Sequence, residues 1–170
     1  MEKKKLESYI RVNHAGEFGA IRIYEGQIAA LKHSSILPLL EEMKAQEAVH
    51  LKAFEDEIKN RKIRPTALLP LWSVLGYGLG YVSGKLGEKT AMACTQGVEE
   101  IIDHHYQEQL DGLSMLEQSL KDKIQQFQQD EIHHKDVAME NGSSDSKAHR
   151  AFASIVRAVT LFAIQASKKI

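Results

Sequence analysis

Two sets of the form Glu, then Glu-x-x-His, recur along this 170-residue chain: Glu17 is followed by Glu47 and His50, and Glu99 by Glu131 and His134. A glutamate and a histidine three residues apart on a helix project to nearly the same side, so each Glu-x-x-His pair nominates one metal ion. Glu17 and Glu99 would complete the two coordination spheres, one carboxylate from each of four helices, as in a di-iron or di-manganese site inside a helical bundle. Four carboxylates balance two divalent ions, which makes burial of the cluster tolerable. Without metal, crowded like charges raise one another's pKa and oppose folding. The chemistry such a set supports is redox. Oxygen and nitrogen ligands without thiolate suit iron or manganese, and oxygen activation points to iron.

A single Glu-x-x-His pair on an amphipathic helix is most often solvated surface, so the elements around these residues must carry weight too. Prolines occur only at Pro38, Pro65 and Pro70, and the long uninterrupted tracts read as helix nearly everywhere outside residues 61 to 88. Ligands on antiparallel neighbours lie level only if the turn falls near their midpoint. Lys32, directly before His33-Ser34-Ser35, lies midway between Glu17 and Glu47, and Met115, beside Asp111-Gly112, lies midway between Glu99 and Glu131. Ser114-Met115-Leu116-Glu117 has the form of a capping box that would start the second helix of that pair. Glu17, Tyr24 and Gln27 are echoed by Glu99, Tyr106 and Gln109 at a constant offset of 82. The echo selects Glu99 over Glu100 as the inward residue. The spacing predicts one all-α domain over residues 1–170, with ligand helix pairs at about 4–60 and 89–140.

Two further elements flank these pairs. Ala67 to Gly84 runs eighteen residues without a charge and sits, with its neighbours to about 86, near the length that spans a bilayer. A proline near one end and glycines in its body argue against a span; an interfacial or substrate-channel element and a buried crossover between the helix pairs are the other readings. Asn141-Gly142-Ser143-Ser144 reads as a turn before a C-terminal helix at about 147–168, whose Phe152, Ile155, Val159, Phe162 and Ala163 form an apolar face expected to dock on the bundle in preference to touching lipid directly. With 22 basic and 23 acidic residues the net charge is −1, too small a field to argue for nucleic acid. Cys94 is the only cysteine, which excludes an internal disulfide and thiolate-based clusters. The start, Met-Glu-Lys-Lys-Lys-Leu-Glu, has no apolar run or cleavage signal and is too acidic for a transit peptide, and reads as a bacterial cytosolic protein or a mature form.

Other histidines compete. His134 is preferred to His133 because it lies three residues after a glutamate, although Asp130 to His133 repeats the spacing one register back. His14 and His104 stay unassigned. His105 and Tyr106 are candidates for a relay beside the metals, or for ordinary packing.

The segments Arg11-Val12-Asn13-His14-Ala15-Gly16-Glu17-Phe18-Gly19-Ala20, Gln46-Glu47-Ala48-Val49-His50-Leu51-Lys52 and Val98-Glu99-Glu100-Ile101-Ile102-Asp103-His104-His105-Tyr106 resemble the demethoxyubiquinone hydroxylase family, over nearly the whole chain. Asp130-Glu131-Ile132-His133-His134 departs from the family's pattern, which more often has an acidic residue where His133 stands. The resemblance implies a ferritin-like four-helix bundle with an apolar crossover and an extra C-terminal helix. It also implies a di-iron, O2-dependent monooxygenase that hydroxylates the ring of a polyprenylated demethoxyquinol in ubiquinone biosynthesis. Such an enzyme would work peripherally on the inner membrane, on the cytoplasmic side in a bacterium or in the mitochondrion for a mature eukaryotic form, within reach of a quinone-synthesis complex. An isoprenoid-tailed substrate must partly leave the bilayer, which gives the apolar element at 67–86 a membrane-facing role. Electrons must come from outside; Gly76-x-Gly78-x-Gly80 lacks the dinucleotide-binding spacing, so NADH, a quinol or a partner protein stays open as reductant. The rivals are another ferritin-like oxidase (a ferroxidase, a peroxidase or a transfer-RNA hydroxylase) and a non-enzymatic, metal-stabilised scaffold.

Overall fold

The computed structural model describes residues 2–169. Helices α1 (Glu2–Ala30), α2 (Leu37–Arg61), α3 (Leu69–Lys85), α4 (Glu88–Gly112), α5 (Gln118–Glu140) and α6 (Lys147–Lys169) follow in order, and there is no strand among the described residues. Helices α1, α2, α4 and α5 make a ferritin-like bundle, with each antiparallel pair closed by a short turn where the ligand midpoints require it. Pro38 and Pro70 sit in the first turns of α2 and α3, where a missing N–H costs nothing. Helix α2 stops at Lys62, whose φ of 55° lets Ile63 N–H bond back to the Ile58 carbonyl at 2.9 Å, a left-handed cap.

Three expectations fail in detail. Helix α6 docks through Ala153, Val156 and Ile164, while Ile155, Val159 and Phe162 of the face expected to dock are exposed. Ser114 makes no side-chain cap; a 3-10 turn at Met115–Glu117 precedes α5 instead. The carboxylate needed for the box is taken by Arg61 at the end of α2, whose Nη2 donates to Glu117 Oε2 at 2.6 Å. Nor does residues 61–88 interrupt the helical pattern, because Leu69–Lys85 is a regular α-helix. Its glycines look like breakers in the sequence, yet Gly76, Gly80 and Gly84 recur every fourth residue on the face against α1. There a Cβ on Gly80 would collide with the Ile23 carbonyl, and one on Gly84 with the Ala30 side chain. The glycines let two backbones approach closely, as small residues do in tightly crossed helices.

The duplication extends to this third element. Helix α3 lies along α1 in the same direction, Gly76 near Gly19 and Gly84 near Ala30. Helix α6 lies along α4 likewise, with Gly97 against Ala153 and Val156 and Glu100 paired with Arg157. Each half is therefore two bundle helices plus an outer one, and the outer helices meet where Trp72 Nε1 donates to Ser167 Oγ at 3.0 Å. One apolar cluster, with Ile10, Phe54, Tyr106, Leu120 and Phe127, fills one end of the bundle. A second, with Tyr24, Leu40, Met43, Met92 and Ala138, fills the other. Along α1, α2 and α5 the glutamates fall between the two, and on α4 Glu99 follows Met92 of the second and lies among Cys94, Val98 and Ile102 of the first.

Candidate metal centre

Glu17, Glu47, His50, Glu99, Glu131 and His134 are each at most 2% exposed. The structure brings all six together: ligand atoms of Glu17, Glu47, His50 and Glu131 lie within 4.8 Å of one another, as do those of Glu47, Glu99, Glu131 and His134. Glu47 and Glu131 belong to both groups. The two oxygens of each are divided between the two imidazoles. Glu131 offers Oε1 to His50 Nδ1 at 3.2 Å and Oε2 to His134 Nδ1 at 3.3 Å, while Glu47 offers Oε1 to His134 Nδ1 at 3.2 Å and Oε2 to His50 Nδ1 at 3.6 Å. Each of the two carboxylates thus faces both imidazoles, one oxygen to each. Glu47 and Glu131 therefore lie close to both histidines, not only to the one three residues on.

All four oxygens of Glu47 and Glu131, and Nδ1 of both histidines, are buried without a hydrogen-bond partner. Six unsatisfied polar atoms aimed at one volume would be costly, and cations at their focus are what the set fits. In the metal-free chain protons stand in. Burial pushes the Glu17 carboxyl up to about 7 against the pull of the neighbouring His50 imidazole, and burial pushes Glu99 up strongly, aided by Glu131 and Glu47. Burial pulls His134 down, but the carboxylates of Glu131 and Glu47 prevail and raise it to about 10; His50 is raised in the same way by Glu131, Glu17 and Glu47.

Reciprocal contacts hold the cluster. Tyr24 on α1 donates to Glu99 Oε1 on α4 at 3.0 Å, and Tyr106 on α4 donates to Glu17 Oε1 on α1. Burial, then the neighbouring glutamates, raise both phenols well above their usual range, so they stay protonated donors. Behind the histidines, His50 Nε2 meets Asp130 Oδ2 at 3.0 Å and His134 Nε2 meets Gln46 Oε1 at 2.5 Å. These contacts leave Nδ1 of each ring facing the carboxylates. Farther along, Asn13 and Gln109 exchange two hydrogen bonds, and Gln27 bonds the Ala91 carbonyl and Thr95.

Tyr106 thus touches a cluster glutamate, whereas His105 turns away, edge-on to the Tyr9 ring at 6.1 Å. His14 is buried, its Nδ1 unpartnered; His104 and His133 are exposed. Sequence reasoning gave no role to Gln46 and saw Asp130 only as a rival ligand; their signal was their place directly before Glu47 and Glu131. An apolar cavity of about 270 Å³ lies beside the cluster among α1, α3, α4 and α6, walled by Gly16, Gly19, Ala20, Leu75, Ile102 and Val159. Leu75 and Val159 are at least half exposed, so the cavity opens on the outer face of α3 and α6.

Comparison with known proteins gives a match of residues 4–167 to the family described as ubiquinone biosynthesis protein COQ7. A Dictyostelium discoideum protein named NADPH-dependent 3-demethoxyubiquinone 3-hydroxylase, mitochondrial, is 41% identical over all of this chain and 82% of its own length. A Rhodospirillum rubrum protein named 3-demethoxyubiquinol 3-hydroxylase is 42% identical over 97% of this chain and 78% of its own. The human protein with the same name as the Dictyostelium one is 38% identical over 100% and 80%.

Proposed function

From membership of the family of ubiquinone biosynthesis protein COQ7, to which this chain belongs, we propose that it is a demethoxyquinol ring hydroxylase whose metal centre is a pair of iron ions. The ions would be held by Glu17, Glu47, His50, Glu99, Glu131 and His134. The observation that carries the reading is the sharing of Glu47 and Glu131 between His50 and His134, a buried set of oxygen and nitrogen donors that supports a pair of cations. When bound, the irons supply activation of O2 and transfer of one oxygen atom to an electron-rich ring carbon, the second oxygen leaving as water with two electrons from a reductant.

The chain's own residues do the rest. Tyr24 and Tyr106 fix Glu99 and Glu17 from opposite halves, and Asp130 and Gln46 fix the histidine rings. Apolar clusters at both ends keep water from the site. The cavity between the outer helices suits an apolar ring and the start of an isoprenoid tail. Its mouth leads to Leu71, Val74, Val82, Ile155 and Phe162, all exposed. Helix α6 is also long and apolar enough to cross a membrane by length and composition, and most of its apolar stretch is not buried in the fold. Its contacts with α4 and α1 favour a helix lying on the bundle, offering its outer face with α3 to the surface of an inner membrane. The names of several eukaryotic relatives contain "mitochondrial" and "NADPH-dependent", which supports NADPH as the reductant to try before NADH or a quinol, and a mitochondrial site if the chain is eukaryotic. A quinone-synthesis complex is a further proposed partner.

The test is turnover. Iron-loaded protein given a short-chain demethoxyquinol, O2 and NADPH or a chemical reductant should form the hydroxylated ring, with two irons per chain. Oxygen consumed without product would point to another ferritin-like oxidase, and two irons retained by Glu131→Ala would overturn the ligand set.

A further inference from the structure

The two halves share the polar contacts that hold the cluster, with one difference in charge. The tyrosine holding the opposite glutamate is present in both, and so is the side chain behind each histidine, from the residue directly preceding the bridging glutamate of the other half. Behind His50 that side chain is the carboxylate of Asp130; behind His134 it is the neutral carboxamide of Gln46. Resting on the ligand reading above, we infer that the two metal positions are unequal and fill in order. Asp130 makes the His50 position the stronger, and Gln46 leaves the His134 position the weaker.

A carboxylate accepting the far N–H of a ligating imidazole draws that proton toward itself. Electron density shifts to the other nitrogen, and the metal–nitrogen bond strengthens. An amide oxygen fixes the ring just as well but carries no charge to do this, and hydrogen bonds to charged groups are about twice as strong as neutral ones. The remaining surroundings do not offset the difference, since each position has one terminal glutamate tied to a tyrosine and shares the same two bridging carboxylates. Asp130 is 39% exposed on its side chain, which moderates its field. No lysine or arginine among the described residues pairs with it to cancel its charge. His50 is further steadied by Phe127, whose ring lies 4.1 Å from it, centroid to centroid. Asp130 and Gln46 are thus positioning residues, and the difference between them sets the order in which the centre is assembled.

The experiment uses the full chain freed of metal, with ¹⁵N-labelled histidine, titrated with Zn(II), a diamagnetic ion that takes the same nitrogen and oxygen donors. One equivalent should shift the ring resonances of His50 and leave those of His134 nearly unmoved; a second should shift His134. Asp130→Asn, nearly isosteric, should weaken the first step in calorimetry about 10- to 100-fold and abolish the order, and the exchange Asp130→Asn with Gln46→Glu should reverse it. A purely structural role for Asp130 would not reverse the order in the double variant. His134 moving first or together with His50 in the wild-type chain, or an unchanged order in Asp130→Asn, overturns the inference while sparing the ligand set. Two bound equivalents that move neither histidine overturn the ligand set itself, and the inference with it.

Discussion

Tyr24 on the first helix donates its phenolic hydrogen to Glu99 on the fourth at 3.0 Å, and its repeat-mate Tyr106 does the same for Glu17. Each half of the chain therefore holds the terminal glutamate of the other, so neither half carries a finished site.

Removing one such hold should loosen the site without emptying it. Tyr24→Phe leaves Glu99 in place but strips its buried oxygen of a donor, a loss of about 1–3 kcal/mol. The variant should keep two metals per chain, unfold at lower denaturant, and turn over roughly tenfold more slowly, because a glutamate misplaced by a fraction of an ångström costs rate more than binding. Metal analysis beside steady-state kinetics checks this, and a variant with full kcat would deny the tyrosine any positioning role.

Glycines on the two crossed helices should separate substrate access from folding. Nothing lies within 4 Å of a Cβ placed on Gly19, which borders the cavity, whereas a Cβ on Gly80 would collide with the Ile23 backbone. Gly19→Val should fill the cavity and lower kcat/KM for a long-tailed quinol by about tenfold or more, with metal content and thermal stability kept. Gly80→Val should instead push α3 off the bundle and destabilise the protein by about 1–3 kcal/mol or more. Equal effects of the two on stability would show that the cavity is not a substrate space.

Acid should act partly through His105. Burial, helped by Lys168, lowers its imidazole to about 4 from an ordinary 6.5, so the unfolded chain takes up the proton first as pH falls. The stability this histidine contributes is complete above pH 6.5 and is lost progressively toward pH 4, a change of about 3 kcal/mol over the window. Urea unfolding of metal-free protein at pH 7 and pH 4 should show a drop that large beyond the drop seen in His105→Phe, which keeps an aromatic ring beside Tyr9 but cannot titrate. Parallel losses in both proteins would place the acid sensitivity elsewhere.

The cluster was legible because Glu17, Glu47, His50, Glu99, Glu131 and His134 recur in two sets of like spacing with a turn midway in each, a pattern that brings them together when the helices pair. Helix α3 was harder to read, since Gly76, Gly80 and Gly84 have poor helix propensity alone, and only the neighbouring backbone of α1 explains them. The cap at Ser114 misled for a related reason: Glu117 had a stronger partner in Arg61, 56 residues away. Gln46 and Asp130 were hidden because a polar residue beside a ligand looks like surface until a helix from the other half is packed against it.

The outer face of α3 and α6 should be what meets lipid. Val74 is 71% exposed and Phe162 68%, on the two helices that flank the cavity mouth, and Lys85, Lys168 and Lys169 stand in their last turns. Apolar side chains of this size contribute about 1.5–3 kcal/mol each when buried, so losing two should weaken attachment by roughly two orders of magnitude. Val74→Asp with Phe162→Asp should therefore release the protein from sedimenting phospholipid vesicles that retain the wild type. Both positions are already solvated, so metal content and turnover of a tail-less quinol should be kept, while turnover of a long-tailed quinol delivered in vesicles should fall in step with binding. Undiminished vesicle binding by this variant would place the membrane contact elsewhere on the protein and leave the apolar cavity mouth without the lipid source assigned to it.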